Sequence, residues 1–131
     1  MKIVSTIGRY LLGLVFTVFG LNGFLNFIPA QPVPQLAGQF VGALVESHFM
    51  TIVFGIEIVA GILLLVTKYV PLALTIIAPV IVNIVLFHAF MAPSGLPIAA
   101  FVSLLWILVA YRVLHGLPRI TPTSFRIGLR P

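Results

Sequence analysis

No cysteine occurs among the 131 residues, so disulfides, thiol redox chemistry and thiolate-bound metals are excluded from this chain's own chemistry. Carboxylates are nearly as scarce: Glu46 and Glu57 face seven Lys and Arg, for a net charge of +5. Charged residues of all kinds make up 7% of the chain, where a soluble domain carries about 25%. No catalytic triad, phosphate loop, dinucleotide fingerprint or HExxH pattern is present. His48, His88 and His115 are too dispersed to suggest a metal pair. The basic residues stand singly at the ends of apolar runs rather than in a patch, which argues against nucleic acid as a partner.

What the chain does have is apolar sequence, 61% of its residues. About 20 consecutive apolar residues cover the ~30 Å of a bilayer's hydrocarbon. Four runs approach that length, at residues 10–28, 49–66, 69–91 and 96–114. They predict one domain over residues 1–131, an all-α four-helix bundle integral to the membrane, with the lipid bilayer as its first partner. The long connection between the first two runs opens with Pro29, Pro32 and Pro34, which keep it extended. From Gln35 onward Leu36, Phe40, Val41, Leu44 and Val45 recur at helical spacing and predict a short amphipathic helix at the outer interface. Pro71 suits a first helical turn, whereas Pro79 should bend the third run and free the carbonyl of Thr75. Ala92-Pro93-Ser94-Gly95 reads as a tight turn.

Lys2, Arg9, Lys68, Arg112, Arg119, Arg126 and Arg130 all fall on one side of this arrangement. Basic flanks mark the cytoplasmic face, so both termini and the tail at residues 115–131 are expected there. Tyr10, Tyr69 and Tyr111 would form an aromatic belt at the same interface.

Against this background Glu57 stands out, near the middle of the second run. A carboxylate at the centre of a span costs at least about 2.5 kcal/mol, and hydrocarbon disfavours its ionised form. The helical rise puts Asn22 and Asn83 within about 3–5 Å of its depth, and Asn26 and His88 about 10–11 Å outward. These five residues are the candidate ligand-binding set, with Glu57 as the candidate proton donor and a hydrogen bond to Asn83 or Asn22 expected. Asn83 and His88, however, lie about 140° apart around an ideal helix. Residues of these types also tie spans together without any chemistry. Arg9 is a poor counter-ion for Glu57, lying about 14 Å inward by the same rise. Gly13, Thr17, Gly20 and Gly23 on the first run, with Gly55 and Gly61 on the second, would let helices approach closely.

Several stretches resemble the DoxX-like family of small four-span membrane proteins. They are Arg9 with Leu12-Gly13, Phe16 and Gly20; Glu57-Ile58-Val59-Ala60-Gly61-Ile62-Leu63-Leu64-Leu65, similar to the family's E-x-x-x-G-x-L-L-L stretch; and Pro79 with Asn83 and His88. The resemblance covers roughly residues 9–112. It implies a prokaryotic inner-membrane bundle tied to quinone-linked redox systems, among them the thiosulfate:quinone oxidoreductase subunit, and thus a quinone as the cofactor to consider. Three functions are compatible with it. One is a redox-associated subunit holding an apolar ligand in the outer half of the bundle. Another is a non-enzymatic accessory subunit meeting a membrane-protein partner or a second copy. The third is a proton-coupled carrier titrating Glu57, for which the inner half of the chain offers no relay of polar groups.

Overall fold

The computed structural model describes residues 2–116 and is all-α. Helix α1 is Lys2–Leu25, α2 Gln35–Glu46, α3 Phe49–Leu65, α4 Val70–Phe90 and α5 Leu96–Gly116, with a 3-10 turn at Pro93–Gly95 before the last. Three of these, α1, α4 and the turn with α5, are long and apolar enough to cross a membrane. A fourth crossing is added if α2 and α3, which meet at an 84° bend, form one span. At 17 residues, α3 is only about 25 Å long on the standard helical rise. The expected cytoplasmic tail, with Arg119, Arg126 and Arg130, lies outside the described residues.

Helix α1 begins at Lys2 rather than Tyr10, because nothing in Lys2–Arg9 interrupts a helix and Thr6 donates to the Lys2 carbonyl at 2.9 Å. It also stops at Leu25, short of the expected residue 28. There Asn26 adopts the left-handed conformation (φ 51°) and its N–H returns to the Asn22 carbonyl at 2.8 Å. This is the single-bond left-handed helix end that Asn supports better than most residues. Helix α2 begins at Gln35 as expected, and left-handed His48 (φ 61°) makes the corner into α3. The far end of α3 closes through Thr67 (φ 59°), with the Lys68 N–H bonded back to the Leu63 carbonyl at 3.1 Å. That six-to-one bond is a Schellman ending with threonine in the place glycine usually holds.

Helix α1 packs most extensively on α3 and also on α5, while α4 packs on both α3 and α5. Their shared core is aliphatic with one aromatic, running from Leu12 and Phe16 through Leu64, Ile77 and Val102 to Val109. The outward faces are apolar as well: Phe90, Leu104 and Ile52 keep 77%, 66% and 67% of their surface accessible. Exposed apolar surface on this scale calls for a nonaqueous or protein neighbour.

The α1–α3 crossing is backbone against backbone. A Cβ on Gly61 would lie 2.7 Å from the Thr17 amide nitrogen and 2.8 Å from the Gly13 carbonyl oxygen. Helix axes this close need small residues on both sides, the packing mode that apolar media favour. Arg9 adds a polar tie at the same crossing. Its guanidinium donates to the carbonyl of Leu64, in the last turn of α3, and lies 4.2 Å from the Tyr10 ring centre. A cation is well placed on carbonyls at a helix C-terminus, where acceptors lack helical partners and the dipole is negative.

Pro79 sits inside α4 as expected. The indole N–H of Trp106 on α5 donates to the carbonyl of Leu74 at 3.0 Å. That acceptor is one residue before the Thr75 carbonyl released by the proline, so the α4–α5 contact is anchored where the α4 ladder is interrupted.

Candidate functional site

On α3 the buried residues are Glu57, Ala60, Gly61 and Leu64. Their i, i+3, i+4, i+7 spacing is one helical face, and Glu57 occupies the first position of it. The periodicity that packs Leu64 into the core therefore carries the carboxyl inward, and Glu57 is 8% exposed. One turn before it on α3, Phe54 lies edge-on to Phe24 of α1, with ring centres 6.0 Å apart. A Cβ on Gly20 would lie 2.9 Å from the Phe54 carbonyl oxygen, so α1 covers this part of α3 closely.

The other four candidates are spent elsewhere. The side-chain oxygen of Asn22 accepts the Ile28 N–H at 2.7 Å, capping the chain as it leaves α1. Asn26 is the exposed left-handed residue of that same ending. The Asn83 amide donates to the Pro79 carbonyl at 3.0 Å, on the exposed side of α4. Half-buried His88 uses Nδ1 to donate to the Ala92 carbonyl at 3.1 Å, and its ring fills the space where a side chain on Gly95 would go. A carbonyl can only accept, so the neutral ring carries its proton on Nδ1.

The expected Glu57–Asn83 or Glu57–Asn22 hydrogen bond is therefore not formed, and no side-chain oxygen or nitrogen among the described residues is both fully buried and without a partner, the Glu57 carboxyl included. The physical reason is proximity: each asparagine finds a backbone partner within one or two turns of itself, ahead of any long-range partner. Thr17, Thr75 and Ser103 follow the same habit, each donating to the carbonyl four residues back. Shared depth did not translate into shared azimuth. Arg9, also discounted as a counter-ion, is engaged on Leu64.

Among the surface grooves of the described residues are two that lie between helices. One, about 280 Å³, lies between α4 and α5 and is lined by residues including Ile81, Val85, Ser103 and Trp106. The other, about 310 Å³, lies between α1 and α5 and is lined by Ser5, Leu108, Tyr111, Arg112 and His115. Glu57, Asn22, Asn26, Asn83 and His88 line neither. Among the described residues no group of three metal-binding side chains assembles.

The arrangement thus offers one carboxyl, able when protonated to donate one hydrogen bond and accept others, on the core face of α3 that carries the glycine crossing. Sequence reasoning missed the Trp106–Leu74 tie and the α1–α5 groove. A lone tryptophan N–H in an apolar run beside a proline-broken helix was the available signal for the first. No family model matches the chain, and neither the characterised proteins nor the solved structures compared with it show a significant match.

Proposed function

We propose that this chain is a small four-span protein of a prokaryotic inner membrane that acts as a non-enzymatic subunit or accessory factor of a larger membrane assembly, one of the quinone-linked redox kind that its DoxX-like stretches imply. The observation that carries the reading is Glu57, 8% exposed on the core face of α3, where neither Asn22 nor Asn83 meets it. A carboxylate at the centre of an apolar span costs at least about 2.5 kcal/mol. A scaffold with no use for it would pack better with leucine. The bundle supplies rigidity through its glycine crossing, and its apolar outer faces supply contact area for lipid and for partner helices.

The second reading is an apolar ligand with polar ends, such as a quinone, held at Glu57. It is favoured by the same carboxyl, because a quinone carbonyl accepts the hydrogen bond that a protonated acid donates. Neither of the grooves described above reaches Glu57, and Asn26 and His88 do not converge on it. No chemical step is assigned through such a group.

Native mass spectrometry of the gently solubilised chain separates the two. The accessory reading expects the chain in a complex of defined stoichiometry with partner protein, and Glu57→Gln, which keeps shape but cannot titrate, weakens the assembly's activity. A bare chain carrying a quinone-sized adduct, lost in Glu57→Gln, establishes the second reading instead. Full activity, unchanged assembly and unchanged ligand content in Glu57→Gln would remove both.

Orientation is open to a direct check, since the chain has no cysteine to remove. The described basic residues Lys2, Arg9, Lys68 and Arg112 lie at the end of the molecule holding the start of α1, the α3–α4 connection and the end of α5. With that end cytoplasmic, a cysteine at Gln39 reacts with an impermeant maleimide from outside, and one at Lys68 reacts only after the membrane is opened. The reverse pattern overturns the topology.

A further inference from the structure

The groove between α1 and α5 belongs to nothing described so far. Gly8 of α1 lies against α5, where a Cβ on it would be 3.2 Å from a methyl of Leu108 and 3.7 Å from Val109. One helical turn further toward the basic end, the two helices enclose about 310 Å³. One wall is Ser5, a buried polar residue 7% exposed, and the other is Leu108, Tyr111, Arg112 and His115 of α5. The His115 ring stacks on that of Tyr111 with centres 4.0 Å apart, and Nδ1 donates to the Tyr111 carbonyl at 2.9 Å. That bond sets the ring and leaves Nε2 outside it.

We infer that this groove binds the phosphate headgroup of an anionic phospholipid. The inference rests on the membrane-spanning part of the reading above, but not on any role for Glu57. Charge complementarity selects the occupant. Arg112 is in the groove, Lys2 and Arg9 are on the neighbouring turns of α1, and both acids are elsewhere, Glu57 in the core of α3 and Glu46 at the end of α2. A guanidinium pairs with a phosphodiester through two parallel charge-assisted hydrogen bonds, and a serine hydroxyl adds a third donor. The groove lies at the end where the basic residues put the membrane surface, so a bound headgroup keeps its own depth in the bilayer. Its floor is the Gly8–Leu108 contact, and beyond it Leu104 and Ile107 of α5 are exposed and apolar, as acyl chains require. Basic pockets between spans on the cytoplasmic side suit such headgroups, and each surface Lys or Arg contributes about 1 kcal/mol toward anionic lipid.

The test uses the full chain purified in mild detergent, with phosphatidylglycerol and phosphatidylcholine added in parallel and lipid adducts counted by native mass spectrometry. Wild type is expected to retain phosphatidylglycerol in preference to phosphatidylcholine. Arg112→Gln is expected to lose about fivefold in that preference, the equivalent of one surface charge. Arg112→Lys should restore most of it, whereas Lys2→Gln, outside the groove, should lose clearly less than Arg112→Gln and Glu57→Gln should leave the preference unchanged. Circular dichroism of the same samples confirms that each variant is folded, and Ser5→Ala provides a second, milder lesion on the opposite wall. Equal retention of the two lipids overturns the inference, as does a loss in Lys2→Gln matching that in Arg112→Gln. Displacement of the lipid by millimolar inorganic phosphate would make this a free-phosphate site and also overturns it. A chain recovered from the soluble fraction without detergent removes the membrane reading itself, a failure distinct from a membrane-extracted chain without lipid preference.

Discussion

Gly61→Ala is expected to destabilise the protein by about 1–3 kcal/mol, the usual range for overpacking a tight contact, and Gly61→Leu is expected to separate α1 from α3. One methyl group suffices because, besides the Thr17 hydroxyl, what it meets is backbone. The Thr17 amide nitrogen and the Gly13 carbonyl oxygen stand 2.7 and 2.8 Å from the new Cβ position. Neither atom can rotate away, so the helix axes must move apart and the aliphatic contacts along the whole crossing loosen with them. Gly55→Ala, on the same helix with nothing within 4 Å of its added Cβ, should be neutral or slightly stabilising, since alanine is the better helix former. Unfolding of detergent-solubilised protein by a denaturing detergent, followed by helicity, compares the pair. Equal midpoints for Gly61→Ala and Gly55→Ala would show that the crossing is looser than the structure has it.

Reading the sequence succeeded where one local cue decided the outcome. Apolar run length located α3, α4 and α5 within a few residues, and helical spacing after three prolines placed the start of α2 at Gln35. The inward face of α3 was legible because Glu57 shares a stripe with Ala60, Gly61 and Leu64. The polar constellation was not, for a geometric reason. Sequence position along a span gives depth, through the helical rise, but meeting another span also requires the right azimuth and a side chain with no nearer partner. Asn22 failed on the second condition, its side chain held by the Ile28 N–H, and Asn26 failed because α1 ends at Leu25 and leaves it exposed beyond the helix. An asparagine followed within three residues by Pro29 was the available cue to that ending. Asn83 and His88 failed on both conditions, bonding to Pro79 and Ala92 on the strand of backbone they already belong to.

The same local satisfaction isolates Glu57 and fixes the sign of a stability change that intuition would reverse. Replacing a buried charged residue is usually destabilising when it strands a partner, but here no described residue is left behind: Arg9 stays on Leu64, and Asn22 and Asn83 keep their backbone acceptors and donors. Glu57→Leu, of similar bulk and fully apolar, should therefore stabilise the solubilised chain by about 1 kcal/mol, the order of one further methylene buried on the core face of α3. Glu57→Gln retains a polar group of the same shape and should change stability little, because hydrogen bonds between spans average only about 0.6 kcal/mol. Both variants should impair whatever the assembled protein does, so stability and function move in opposite directions at this one position. Denaturing-detergent midpoints of the isolated chain, set beside the activity of the intact assembly, measure the two separately. If Glu57→Leu instead destabilises the isolated chain by a comparable amount, the carboxyl has a partner within the bundle and its burial is structural. If it stabilises the chain and leaves activity whole, a residue that hinders packing also serves no purpose, and the accessory reading built on Glu57 is lost with it.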